Sequence, residues 1–332
     1  MPSYAVTLFP SRHQFLASSR QSLLKAGLQS GLNLKYGCEG GNCGHCLARL
    51  IRGQTQSIRY SDFALSEQQK SDGYFLTCCH AAQSELEVEA MEIGSVRQIA
   101  EQQIEARVYK LEHLANDVLS VSFKTPRTQP LSFLAGQHLT IRLNDQLQRN
   151  KSIASCPCDG LKPEIHVKYR AGDPFSEYVF NRLKKHDRVR LHGPWGDFTL
   201  DDDSNRPIML IAFNTGFASI KSLLEHAIAL EKSQNIRLYW LLSKGHQAYQ
   251  ENYCRAIQHA LDNFEYQTIA VAGEGANGFN ETLEQLWQRV PDPRQADVYV
   301  TTSVEFADSV QHQLIRLGVS DGHWRVDHMM KL

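Results

Sequence analysis

Cys38-Glu39-Gly40-Gly41-Asn42-Cys43-Gly44-His45-Cys46 is the stretch on which the reading of this chain turns. Two thiols stand with four residues between them, a third follows after two more, and Cys78 comes after a further 31. That C-x4-C-x2-C…C spacing is the plant-type [2Fe–2S] pattern, so Cys38, Cys43, Cys46 and Cys78 are the candidate metal ligands. Gly37, Gly40, Gly41 and Gly44 let the backbone approach the sulfides and aim N–H groups at them, which favours the reduced, more negative cluster. A structural zinc site would draw its four cysteines from two knuckles, whereas here three crowd one loop. A Rieske centre needs two histidines, and His45 is alone, so it is read as a surface residue. Cys79 is expected to point away from Cys78, because neighbours in an extended segment face opposite sides.

Outward from the loop, alternation at Tyr4, Val6 and Leu8, a helical stretch over residues 19–29 and a closing strand at Leu86, Val88 and Ala90 enclose the cysteines between strands and a helix. Glu85, Glu87 and Glu89 lie on the other face of that strand and read as solvated, with docking charge as the alternative. Residues 94–103 are polar with few large apolar anchors and read as a linker. From Ile104 to about residue 203, short strands broken by Gly and Pro, with one helix over residues 175–183, predict a small antiparallel β-barrel. Residues 204–332 switch to strand and helix in alternation, the pattern of a doubly wound parallel sheet. The expected fold class is therefore multidomain α+β and α/β, with residues 1–93 as a β-grasp domain, then the barrel, then the nucleotide-type sheet.

Composition narrows the function. A chain of 332 residues with a formal net charge of -1 and no basic stripe is a poor binder of nucleic acid. Apolar runs such as Ile208–Phe213 fall far short of the roughly 20 residues that span a bilayer. The N-terminus shows no basic start followed by an apolar run, which leads us to expect a chain beginning at Met1 in the cytoplasm. Eight cysteines could mean disulfides, but four at ligand spacing and no export signal favour cluster ligation.

With the cysteine loop followed by Phe133-Leu134-Ala135-Gly136-Gln137, Arg149-Asn150-Lys151-Ser152, Gly193-Pro194-Trp195-Gly196 and Asn214-Thr215-Gly216, the chain resembles the single-chain reductases that join a plant-type ferredoxin to a ferredoxin–NAD(P)H-reductase module. Members serve bacterial oxygenases and the CDP-6-deoxyhexulose dehydratase system. The resemblance implies FAD and NADH or NADPH, with a weak lean to NADH, and a route from NAD(P)H through FAD and the cluster to an electron-accepting protein such as a terminal oxygenase or dehydratase. It implies that Arg149 pairs with the FAD pyrophosphate, that Ser152 stands near the reactive flavin nitrogen, and that Gly172 and Ser176 represent the pyrophosphate turn. It further implies that Asn214, Thr215 and Gly216 form the nucleotide turn and that Thr301 stands beside the nicotinamide, so that Ser152 and Thr301 are the candidate catalytic residues.

The sequence departs from the family in four places. Lys151 replaces the tyrosine that stacks on the isoalloxazine, and Asp173 replaces a second glycine near the phosphates. Phe213 and Asn214 replace two glycines at the nucleotide turn, where Phe213 is expected to fill space the dinucleotide needs, and Thr301-Thr302-Ser303 replaces Cys-Gly-Pro. These departures raise a second reading, a non-enzymatic ferredoxin-type carrier on a degenerate reductase scaffold.

Overall fold

The computed structural model describes residues 2–36, 40–41, 44–59, 61, 65–92, 99–273 and 275–329. Cys38, Cys43 and residues 94–98 of the expected linker lie outside them.

The first sheet contains β1 (Ser3–Phe9), β2 (Gln14–Ser18), β3 (Leu47–Arg52), β5 (Tyr74–Leu76) and β7 (Leu86–Ala90), with β4 (Thr55–Ser57) and β6 (His80–Ala82) as a separate ribbon. Its order is β2-β1-β7-β3-β5, with the two termini of the unit, β1 and β7, parallel at the centre. Helix α1 (Leu23–Gln29) packs on that sheet and α2 (Glu67–Ser71) precedes β5. This is the β-grasp arrangement. Ser22 caps α1 by accepting the Lys25 N–H, so the helix starts later than the periodicity suggested. In β7, Leu86, Val88 and Ala90 are buried while Glu87 and Glu89 pair with Arg52 and Arg49 across the strand, as expected of a solvated face.

The second unit contains β8 (Gln102–Ala115), β9 (Val118–Lys124), β10 (His138–Arg142), β11 (Gln148–Ser152), β12 (Glu164–Lys168), helix α3 (Pro174–Asn181) and β13 (Arg188–Trp195). All pairings are antiparallel in the order β11-β10-β13-β8-β9-β12, and a bridge between Ile153 and Ile165 closes the ring. Sequence reading placed a strand at Ile153 and Ala154; the strand is the polar stretch before them, which carries no hydrophobic alternation and so gave no signal. The motifs of this unit hold one another. The buried Gln137 side chain accepts the Leu134 N–H at 2.8 Å and donates to the Gly196 carbonyl at 3.0 Å.

The third unit is a parallel sheet of β14 (Ile208–Phe213), β15 (Ile236–Leu242), β16 (Phe264–Ala270), β17 (Asp297–Ser303) and β18 (Trp324–Met329) in the order β16-β15-β14-β17-β18. Helices α4 (Phe217–Ala229) and α5 (Glu251–Ala260) cover one face, and α6 (Gly275–Trp287) and α7 (Val304–Arg316) the other. Sequence reading missed α6, whose first turn carries two glycines and an asparagine that mask the helical period. The order reverses between β14 and β17, so the switch point lies at their carboxyl ends.

Helix α4 is the shared wall of the molecule. Its Lys221 ammonium, nearly buried, donates to the Ala154 carbonyl of the barrel at 2.9 Å and pairs with Glu225 at 2.7 Å and Glu164 at 3.7 Å. The β-grasp unit meets the far end of the same helix at Gly31, where a Cβ would come within 2.8 Å of the Leu230 nitrogen and the backbone φ is +80°. Gly31→Ala combines overpacking, about 1–3 kcal/mol, with a strained left-handed backbone. We expect a lower unfolding midpoint and faster amide hydrogen exchange at the end of α4, both measurable on the purified variant. Unchanged midpoint and exchange would show that this approach does not hold the two units together.

Candidate electron-transfer centres

Cys46 and Cys78 are buried and brought together by the clamp of Thr77, whose N–H and hydroxyl both reach the Cys46 carbonyl, at 3.0 and 3.2 Å. The Cys78 thiol donates to Cys46, which holds the Cys46 thiol down at about 7 despite its burial. That same bond, with burial and the neighbouring charges, drives Cys78 upward. Two soft donors thus converge in the β-grasp core. This donor set fits an iron–sulfur cluster.

The expectation that Cys79 points away from Cys78 does not hold. Residues 77–79 form a turn rather than an extended segment, and the Cys79 sulfur lies 3.5 Å from that of Cys78. It is fully buried in the apolar core of the unit. His45, as expected, is exposed.

On the barrel, β11 points Arg149 and Lys151 to one side, both within 6 Å of the Phe175 ring at the start of α3. Arg149 pairs with Asp173, the residue that caps α3 by accepting the Ser176 N–H at 3.1 Å. Gly172, with φ of +81° and open space where a Cβ would stand, donates its N–H to Glu177 at 2.8 Å. The fork and the N–H that would face a pyrophosphate are therefore turned onto two carboxylates of α3, which stand in for its charge. The Ser176 hydroxyl is engaged locally with Arg170 and Asp173. Arg149 Nε remains buried without a partner, an orphan donor that suits an anion such as the FAD diphosphate.

Lys151, half-buried, is pushed down to about 8 by burial, with Asp173 opposing and Arg149 and Arg170 adding to the fall. Ser152 closes β11 opposite His138 of β10. His138 in turn faces Asp327 at the end of β18, whose pKa burial raises and whose carboxylate accepts from Ser219 of α4 at 2.9 Å. Asp327 is also the register partner of Thr301. His138, Ser219 and Asp327 were missed from sequence. The available signal was the position of Asp327 at a strand's carboxyl end in a parallel sheet, where such folds place ligands.

The nucleotide turn departs from expectation in a specific way. The Phe213 ring does not stand in the crevice; it is 8% exposed and packs on Phe279 and Phe306 in the layer under α6 and α7. Asn214 closes the turn instead. At φ of +49° its side chain donates to the Ser243 hydroxyl at 2.9 Å and accepts the Ser243 N–H at 3.0 Å, while its carbonyl takes the Trp240 indole N–H at 2.8 Å. Ser243 also meets His246 at 3.0 Å, tying down the loop that follows β15. Gly216 is buried at the start of α4 with an ordinary helical φ of -58°. Thr301 is fully buried and its hydroxyl accepts the Phe213 N–H at 3.3 Å, whereas the neighbouring Thr302 hydroxyl is buried without a partner. This turn lacks the open glycine cradle for a diphosphate; the switch-point hydroxyls are what it offers.

A cysteine-rich β-grasp sheet, an antiparallel barrel with an orphaned arginine donor and a doubly wound sheet are together the parts of a flavoprotein electron-transfer reductase. Residues 6–83 match the 2Fe-2S iron-sulfur cluster binding domain family and residues 105–200 the oxidoreductase FAD-binding domain family. The chain is 30% identical over 331 residues to the CDP-6-deoxy-L-threo-D-glycero-4-hexulose-3-dehydrase reductase of Yersinia pestis, covering 98% of each. It is 30% identical over 238 residues to reductase component 1 of the terephthalate 1,2-dioxygenase of Comamonas sp, covering 72% of this chain and 70% of the other. In fold it is similar to the ferredoxin reductase in carbazole 1,9a-dioxygenase, with a TM-score of 0.58, 21% identity and 98% of each chain covered. The chain belongs to the family of single-chain ferredoxin–NAD(P)H reductases, iron–sulfur flavoproteins that carry electrons from NAD(P)H through FAD and a [2Fe–2S] cluster to an electron-accepting protein.

Two outcomes follow from this geometry. A lysine held down in the folded state and normal in the unfolded chain is a penalty at neutral pH: stability rises with pH between about 8 and the ordinary lysine value. Lys151→Met in the flavin-free protein should therefore be more stable than the parent at pH 7, with the gap narrowing as pH climbs through that window; a gap independent of pH in denaturant titrations would refute it. At the nucleotide turn, Asn214→Gly should release the Ser243 tie and tighten NADH binding or quicken flavin reduction a few-fold, whereas Phe213→Ala should cost about 3–5 kcal/mol as an emptied core site. Equal NADH binding in Asn214→Gly and parent would show that the tie is no obstacle.

Proposed function

We propose that Cys38, Cys43, Cys46 and Cys78 hold the cluster and that Arg149, Lys151, Ser152, Gly172 and Ser176 line the flavin. Thr215 and Gly216 with Asn214, together with Thr301, would meet the nicotinamide nucleotide, and Ser152 and Thr301 would flank the reacting rings. The cofactors supply the hydride acceptance and the single-electron transfers. The chain's own residues supply charge and access. Arg149 offers a fork for the diphosphate, Lys151 offers a positive charge that favours an anionic reduced flavin, and Asp327, whose pKa burial raises, stands with Ser219 beside His138.

The acceptor we infer is a sugar-nucleotide dehydratase or a terminal oxygenase, with the dehydratase favoured because the resemblance to the dehydrase reductase runs end to end while that to the dioxygenase component covers 72% of the chain. No helix among the described residues is long and apolar enough to cross a membrane. We infer that the protein works in the cytoplasm, where the thiol pool keeps cluster ligands reduced.

The single observation that carries the reading is the pairing of two converging buried thiols with an orphaned arginine donor in one chain. Anaerobic titration with NADH and NADPH, following flavin and cluster absorbance separately, tests it. Both chromophores should bleach in the parent. Cys78→Ser should abolish the cluster signal and leave flavin reduction, and Cys79→Ser should leave both. A flavin-free protein, or a cluster that only another protein can reduce, would favour the carrier instead.

A further inference from the structure

The turn Cys156-Pro157-Cys158, between β11 and β12, packs against α1 of the β-grasp unit and α4 of the nucleotide unit, so it sits where all three parts meet. Its two sulfurs are joined as a disulfide in the structure, with Cα atoms 5.2 Å apart. A ring nitrogen of His226, on α4, lies within 4.8 Å of both. The histidine is 2% exposed. Its Nε2 is held by both oxygens of Asp202, at 3.0 and 3.1 Å, and its Nδ1 is buried with no hydrogen-bond partner. Asp202 is itself fixed by the Asn33 amide at 2.8 Å. The Cys156 N–H is taken by Glu225 at 2.9 Å and the Cys158 N–H turns onto the Cys156 sulfur at 3.2 Å, which sets the turn.

A carboxylate on one imidazole nitrogen fixes the tautomer that leaves the other nitrogen basic, and this is how metal-binding histidines are usually oriented. Two thiolates and one imidazole converging from different elements form a soft, compact donor set whose charge balances a divalent ion. A cavity of about 350 Å³ lined by Asn33, Asp202, His226 and Leu230 opens on the Asp202 side of the histidine. We propose that Cys156, Cys158 and His226 Nδ1 bind one zinc ion in the reduced protein, separate from the iron–sulfur cluster, with the fourth position open. Zinc binding and the disulfide exclude each other. Two equivalents of a thiol reductant open the bond and leave as their own disulfide, after which Zn²⁺ displaces the two thiol protons. Bound there, the ion joins the barrel turn to α4, and through Asp202 and Asn33 to the β-grasp unit.

The test uses the cluster-loaded full chain, reduced, freed of reductant anaerobically and titrated with Zn²⁺ against a chromophoric chelator, with iron measured in the same sample. The parent should take up one zinc per chain with no loss of iron. The Cys156→Ser/Cys158→Ser variant should take up none at that affinity, and Asp202→Asn should weaken binding about 10- to 100-fold. His226→Asn should weaken it at least as much, and cobalt in the parent should give tetrahedral thiolate spectra that this variant loses. Should the double cysteine variant fail to fold, the two single variants decide. Equal zinc affinity in parent and variants, or zinc taken up only as iron leaves, would overturn the proposal.

Discussion

The ammonium of Lys221 is the constraint on which the relation of barrel to parallel sheet depends. A lysine at 9% side-chain exposure on a helix that two units share must be neutralised and hydrogen-bonded, because an unpaired buried charge costs several kcal/mol. Both carboxylates that answer it are spoken for twice. Glu225 also caps the Cys156 N–H and takes the Tyr253 hydroxyl. Burial would raise Glu164, but the hydrogen bond from His166 and the charge of Lys221 prevail and hold it at about 2. His166 then reaches Tyr249 at 3.0 Å, which packs against Trp240 under the nucleotide turn. One charge thus sets the end of β11, the barrel's closing bridge at Ile153 and Ile165, and the floor beneath Asn214.

This has consequences for electron flow. Residues proposed to flank flavin and nicotinamide come from different sheets: Ser152 from the barrel, Thr301 and Asp327 from the parallel sheet. Their mutual position is only as fixed as α4, since Ser219 on that helix holds Asp327 and Lys221 two residues on holds the barrel. The β-grasp unit is set against the same helix through Gly31 and Leu230. A helix buried on every side over residues 217–224 is suited to holding three redox parts at constant separation.

The altered motifs acquire physical content in the same frame. Asp173 is no mere blemish near a phosphate site; it caps α3 and balances Arg149. Lys151 exchanges an aromatic ring for a half-buried amine whose pKa burial pushes down. Phe213 is a core residue, and Asn214, not the ring, replaces the glycine cradle by stitching β14 to β15.

The sequence by itself determined the cluster type and the order of β-grasp sheet, barrel and parallel sheet. These are local matters: cysteine spacing, periodicity and short motifs are carried by neighbours along the chain. It misplaced Phe213, turned Cys79 the wrong way and was silent on Asp327, His138 and the convergence of Cys156, Cys158 and His226. Which face a strand's last residue turns to depends on the helices packed beneath it, and a turn of three residues at Thr77 changes which way a side chain points. Contacts such as Asp202 with Asn33, 169 residues apart, exist only once three sheets have closed around one helix.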